Sequence, residues 1–207
     1  MSIASKRNVR QNRKKVLKWL IQNKAVLPGE GAALLCAFFY SFIYDQNRVP
    51  FSKKIVAAIL IALFFHVVNL AARSDSSCHK IPNQYCCAIA LLAFAAAPVM
   101  TEISIGERVA GGGIVSVPML MLSLGKKGSF GGGDIKFMGA CGLFWGFEII
   151  WKSFVFSVIM AAFYGIWLLS QGKTKNTLIP IGVFLQTGMI LEVFLFAWSV
   201  WKGQDRK

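Results

Sequence analysis

Two aspartates are the residues whose type and setting could do chemistry. Only 9 of the 207 residues are acidic, against 23 Lys and Arg. Asp75 comes just after a long apolar run, and Asp134 ends a run of three glycines just before another. Two close carboxylates can share one proton, because like charges a few ångströms apart cannot both ionise cheaply. Such a pair supplies both the base and the acid for peptide hydrolysis, so we expect no metal and no cofactor.

The segment after Asp75 contains two further candidates for the site. Pro82 cannot extend a helix that arrives from upstream, and it is typical of a turn or of the start of a new helix. Asn83 follows it as a turn residue. Together they predict that the chain turns, or begins a new helix, shortly after Asp75.

The segment around Asp134 runs Gly-Gly-Gly-Asp-Ile-Lys, from Gly131 to Lys136. Its ordinary interpretation is a flexible turn that ends in an N-cap aspartate. Glycines also let a second chain approach the backbone closely. From the residues alone, the alternative to a flexible turn is that Gly131 and Gly133 let a substrate backbone lie against Asp134.

The helix dipole predicts different roles for the two carboxylates. Asp134 begins an apolar segment, where the dipole and Lys136 favour the ionised form. Asp75 ends one, where the dipole disfavours negative charge, although Arg73 opposes that effect. The hypothesis is that Asp134 is more often the carboxylate, while the pair titrates as a unit.

Other catalytic chemistries have little support in the sequence. It contains no G-x-S-x-G and no H-E-x-x-H motif, and its only histidines are His66 and His79. We expect His66 to be an interior residue and His79 to lie in a loop. The five cysteines form no C-x-x-C pair, which excludes the usual zinc and disulfide patterns.

The composition predicts a helical membrane protein. Hydrophobic residues make up 56% of the chain and charged residues 15%, well below the roughly 25% charge of soluble domains. We predict an all-α, polytopic transmembrane bundle of about six to seven spans. The candidate spans are residues 25–44, Ile55–Ala72, Tyr85–Met100, Val109–Leu124, Phe137–Ile150, Ser153–Leu169 and Leu178–Trp201.

The distribution of charge predicts how the chain is oriented. The domain boundaries are a basic tail at 1–24, a transmembrane domain at 25–201 and a short tail at 202–207. With the first tail in the cytoplasm and seven crossings, 15 Lys and Arg lie inside and 8 outside, which follows the positive-inside rule. Both aspartates then lie at the cytoplasmic edge. The net charge of +14 is thus accounted for by membrane topology, and nucleic acid is not expected as a partner.

Together these motifs resemble a known family. Asp75 with Pro82 and Asn83 resembles the Asp-x6-Pro-Asn signature of type IV prepilin peptidases, and the segment 131–136 resembles their Gly-x-Gly-Asp-x-Lys motif. A weaker similarity lies at 179–185, which resembles the Pro-Phe-Gly-Pro-Phe-Leu segment of the family. The resemblance covers roughly residues 55–190. It implies that Asp75 and Asp134 are catalytic. It also implies that the other motif residues bind substrate or shape the site: Pro82, Asn83, Gly131, Gly133 and Lys136.

This resemblance implies an aspartic endopeptidase in the prokaryotic cytoplasmic membrane, with its catalytic side in the cytoplasm. Its substrates would be prepilins or pseudopilins, which carry a basic leader and a hydrophobic helix, in pilus assembly or protein secretion. The missing C-x-x-C motifs predict a short form without methyltransferase activity. Two alternatives stay open: an inactive assembly factor that binds leader peptides, and a small ion- or proton-coupled transporter. In the transporter, Asp75 and Asp134 would be ion or proton ligands. That alternative predicts more polar groups at mid-membrane than the four found there, which are His66, Asn69, Gln186 and Glu192.

Overall fold

The computed structural model describes residues 31, 50–78, 80–125, 131–171 and 181–204. Within these ranges every regular element is a helix, as the all-α prediction requires. The predicted span at 25–44 lies outside the described residues except for residue 31, and the basic tail at 1–24 lies outside them entirely. The helices are α1 Phe51–Cys78, α2 Asn83–Ala96, α3 Ile105–Ile114, α4 Ser116–Gly125, α5 Gly132–Ser170 and α6 Ile181–Gln204.

Four of the described helical segments are long and apolar enough to cross a membrane: Phe51–Ser77, Ile105–Gly125, Gly132–Ser170 and Ile181–Ser199. Helix α2 is apolar but shorter. Large side chains such as Phe94, Phe163 and Met121 point outward and are 74%, 66% and 69% exposed. Soluble monomers rarely expose so much contiguous apolar surface, so the chain is a membrane protein. The predicted number of six to seven spans is not confirmed by these helices.

An aromatic cluster joins α1 to the first part of α5. Phe64 stacks on Phe144 with ring centroids 4.4 Å apart, and both rings meet Trp145 edge-on. Phe65 also contacts Trp145. All four side chains are almost fully buried. The cluster fixes the position of α5 along the axis of α1. Because Asp75 lies on α1 and Asp134 on α5, it also helps to set the relative position of the two aspartates.

Helix α5 folds back on itself at Gly146. In a straight helix, Asp134 and Tyr164 would be about 45 Å apart, at 1.5 Å per residue. Yet Tyr164 packs against Phe184 in the first turn of α6, with centroids 5.4 Å apart. That turn lies against Asp75, which interacts with Asp134. Helix α5 is therefore two arms, residues 132–145 and 147–170, and the second arm returns to the end of the bundle that holds the aspartates.

The reversal depends on Gly146 and on a buried arginine. Gly146 has φ 75° and ψ −176°, and positive φ favours glycine. The break removes the helical partners of the carbonyls just before it. The Arg108 side chain, 5% exposed, donates to the carbonyls of Leu143 and Phe144 at 3.2 and 2.9 Å. Arg108 thus caps the first arm from the neighbouring helix α3.

The reversal also locates the two spans predicted at Phe137–Ile150 and Ser153–Leu169. They correspond to the two arms of α5, but the predicted boundary at 151–152 was wrong, since the chain turns at Gly146. The apolar sequence runs on through the turn without a polar loop, so hydropathy could not mark it.

Candidate active site

Asp75 lies in the last turn of α1 and faces the interior of the bundle. It is 6% exposed. Its Oδ2 atom accepts a hydrogen bond from the backbone N–H of Gly182, the second residue of α6, at 2.8 Å. The side chain of Asp75 is therefore fixed by a helix that is 107 residues away in the chain.

Asp134 lies in the first turn of α5 and is partly buried. Its Oδ2 atom accepts the N–H of Gly131 at 3.3 Å, which is the arrangement of a helix-capping carboxylate. Its carboxylate is close enough to that of Asp75 for their charges to interact. The fold thus brings together two aspartates that are 59 positions apart in the sequence.

The predicted neighbours Pro82, Asn83 and Lys136 meet beside the two aspartates. Pro82 has an extended backbone, with φ −60° and ψ 140°, and α2 begins at the next residue. The Oδ1 atom of Asn83 accepts a hydrogen bond from the Nζ atom of Lys136 at 3.2 Å. This bond joins the segment that follows Asp75 to the segment that carries Asp134.

The three glycines before Asp134 have different surroundings. A Cβ atom added at Gly133 would lie 2.9 Å from the backbone oxygen of Ile81, whereas one at Gly132 would meet nothing within 4 Å. At Gly131 it would lie 3.0 Å from Oδ2 of Asp134. Gly133 therefore packs against the protein's own loop after α1.

The dipole argument that separated the two carboxylates fails in the structure. It rested on Asp75 lying only at the C-terminal end of its own helix. The fold places the N-terminal end of α6 against Asp75, and Asp134 lies at the N-terminal end of α5. Each carboxylate therefore lies at a positive helix end, and the dipoles no longer assign the acid and the base.

Sequence reasoning missed the contribution of α6. Gly182 was not among the predicted site residues, and its contact uses a backbone atom that no side-chain motif reports. Deeper in the bundle, the Nε2 atom of Gln186 donates to the Oδ1 atom of Asn69 at 3.2 Å. Both side chains are buried, at 6% and 0% exposure. Two signals pointed toward these contacts: the weak similarity at 179–185, and the mid-membrane positions of Asn69 and Gln186, which the sequence analysis considered only for a transporter.

The other polar candidates lie elsewhere. His66 is exposed on the outer face of α1, so the expectation of an interior histidine was wrong. Glu192 is partly exposed and interacts with the charges of Lys152 and Glu148. His79 lies outside the described residues. No group of three or more His, Cys, Asp or Glu able to hold a metal occurs in the described part of the chain.

The long apolar helices define an integral membrane protein, and comparison with known families names its class. The model of the type IV leader peptidase family matches residues 62–166. The match covers half of the chain and includes both Asp75 and Asp134, so the chain belongs to this family of peptidases. Comparisons with curated proteins and with solved structures gave no match.

Proposed function

We propose that the chain is a membrane-embedded aspartic endopeptidase that removes leader peptides from prepilin-like or pseudopilin precursors. The observation that carries the proposal is the approach of Asp75 to Asp134 in a chain of the leader peptidase family. One carboxylate would take a proton from water while the other, protonated, polarises the scissile carbonyl. Because the pair shares one proton, neither residue can act without the other.

The proposed location of the reaction is the cytoplasmic edge of the prokaryotic inner membrane. Four segments meet at one end of the bundle: the C-terminal end of α1 and the N-terminal ends of α2, α5 and α6. Charge bias favours placing that end in the cytoplasm. A precursor with a basic leader and a hydrophobic helix would span this edge, with its cleavage point near the aspartates.

Amide substitution of each aspartate tests the proposal. Asp75→Asn and Asp134→Asn should each lower leader removal by more than a thousandfold while leaving the protein in the membrane. Each variant keeps the shape of the side chain but deletes half of the shared-proton pair. The matched control is Glu148→Gln, which changes an exposed carboxylate on the second arm of α5 to an amide and should cleave normally.

The measurement is the initial rate of conversion of a purified prepilin-type precursor, with the product identified by mass. Wild-type rates from either Asn variant would exclude the aspartate pair as the catalyst. Binding of precursor by the wild-type protein without any cleavage would instead indicate an assembly factor and refute the enzyme. Accumulation of ions in vesicles without cleavage would indicate a transporter.

A further inference from the structure

The start of α6 lies against Asp75, beyond the residue at which the family match ends. We infer that α6 is a positioning element of the active site. The backbone N–H of Gly182 orients the Asp75 carboxylate. The Asn69–Gln186 hydrogen bond fixes the position of α6 along α1 at which the Gly182–Asp75 contact forms. This inference rests on the proposed aspartic peptidase function.

Gly182 leaves less space for a Cβ atom than an ordinary van der Waals contact needs. A Cβ atom added there would lie 3.0 Å from Oδ2, 3.1 Å from Cβ and 3.4 Å from Cγ of Asp75. The first turn of a helix has backbone N–H groups without helical partners, and these point along the axis at whatever caps the helix. Here that group is a carboxylate, and its close approach favours glycine. Even an alanine would require the Asp75 carboxylate to move by a few tenths of an ångström relative to the N–H.

The hydrogen bond also distinguishes the two oxygens of Asp75. Oδ2 accepts the Gly182 N–H at 2.8 Å, so Oδ1 is the oxygen left to exchange a proton with water or the substrate carbonyl. A shift of about 1 Å in a catalytic group can cost a hundredfold in rate. Gly182 therefore affects the turnover step rather than the capture of substrate.

The amide pair sets the relative position of the same two helices. Asn69 lies six residues before Asp75 on α1, and Gln186 lies four residues after Gly182 on α6. Their bond is fully enclosed, where an unpaired amide would be expensive. Two hydrogen bonds at different depths fix both the height and the rotation of α6 against α1. Asn69 and Gln186 are thus positioning residues that act through Gly182.

The first test compares two glycines at equivalent helix positions. Gly182 and Gly106 are each the second residue of a helix, but a Cβ atom at Gly106 would meet only the Ser104 hydroxyl, at 3.9 Å. With a prepilin-type precursor and monodisperse enzyme, Gly182→Ala should lower kcat at least tenfold with KM within twofold. Gly106→Ala should leave both constants within twofold.

The second test separates positioning from stability. Asn69→Leu and Gln186→Leu should each lower the Tm and kcat, since each breaks the buried hydrogen bond between α1 and α6. The double Leu variant should regain part of the Tm, because apolar packing replaces the amide pair, yet its kcat should stay at least tenfold low. The exchange variant Asn69→Gln with Gln186→Asn should restore kcat at least in part.

Equal kcat for Gly182→Ala and Gly106→Ala would overturn the inference, and so would a double Leu variant that regains kcat together with its Tm. In either case, loss of cleavage in Asp75→Asn would still support the proposed function. Wild-type cleavage by Asp75→Asn would overturn both, because Gly182 would then have no catalytic group to orient.

Discussion

At the scale of single residues, the site depends on how closely two backbone segments can approach. The loop after α1 and the start of α5 meet at Gly133, where only a hydrogen atom fits beneath the Ile81 carbonyl. Ile81 is itself buried. The glycine run therefore requires glycine at position 133 but has space for a side chain at position 132.

We expect Gly133→Ala to lose most cleavage activity, by about a hundredfold, with normal membrane insertion. The added methyl group would force the Ile81 loop or Asp134 to shift. A shift of about 1 Å in a catalytic group is enough to lower the rate about a hundredfold. Gly132→Ala is the matched control and should keep at least half the activity, since its methyl group meets nothing within 4 Å. The measurement is the initial cleavage rate per inserted molecule. Similar rates for the two variants would mean that the Ile81 loop rearranges around the added methyl group without displacing Asp134.

The sequence was informative for residues that act through their side chains. Asp75, Asp134, Asn83 and Lys136 were all predicted for the site, because unusual acids and turn residues stand out in an apolar chain. The structure brings them to one end of the bundle. Gly182 could not be predicted in the same way, since it acts through a backbone N–H and its partner is 107 positions away.

At the scale of helices, the reversal of α5 is what returns its second arm to the site. Arg108 stabilises it with hydrogen bonds to four carbonyls, on Met100 and Ile103 as well as on the two residues before the break. Arg108 directly precedes the predicted span Val109–Leu124, so by position alone it is one of the charges that flank the apolar runs. Tertiary packing changed that role, since a long side chain can reach carbonyls that a broken helix leaves open.

We expect Arg108→Met to destabilise the protein by about 3 kcal/mol or more, because buried carbonyls without donors cost about 1–3 kcal/mol each. The control is Lys152→Met on the second arm, an exposed cation whose side chain forms an ion pair with Glu148. Such surface pairs contribute about 0–1 kcal/mol. Thermal unfolding in detergent measures both. A control-like Tm for Arg108→Met would show that the reversal does not need the arginine.

At the scale of the whole molecule, all polar contacts of the site lie at one end of the bundle. Lys80 precedes α2 at that end, and Glu102 follows α2 at the other. Both side chains are exposed. The charge count predicts that the end with Lys80 faces the cytoplasm. Sequence patterning predicts this orientation but could not fix the number of spans, because α5 turns within apolar sequence that contains no polar loop.

Single cysteines test the orientation in an active background without native cysteines. A cysteine at Lys80 should be shielded from an impermeant maleimide added to intact cells, and a cysteine at Glu102 should be labelled. Disruption of the cells should expose both sites, which controls for reactivity. Labelling at Lys80 alone in intact cells would invert the topology and place the aspartates outside.

The reversal at Gly146 also sets a hydrophobic mismatch with the surrounding lipid. The first arm of α5, residues 132–145, is only about 20 Å long at 1.5 Å per residue, whereas a typical hydrocarbon core is about 30 Å thick. Either the bilayer thins around this arm, or the two aspartates lie below the bilayer surface. In both arrangements, lipids with shorter chains bring water closer to the aspartates. In proteoliposomes of phosphatidylcholines from 14 to 22 carbons, we therefore expect about tenfold faster cleavage in the thinnest bilayers, with Asp134→Asn inactive throughout. A rate that does not vary with chain length would mean that the short arm is fully matched by neighbouring helices.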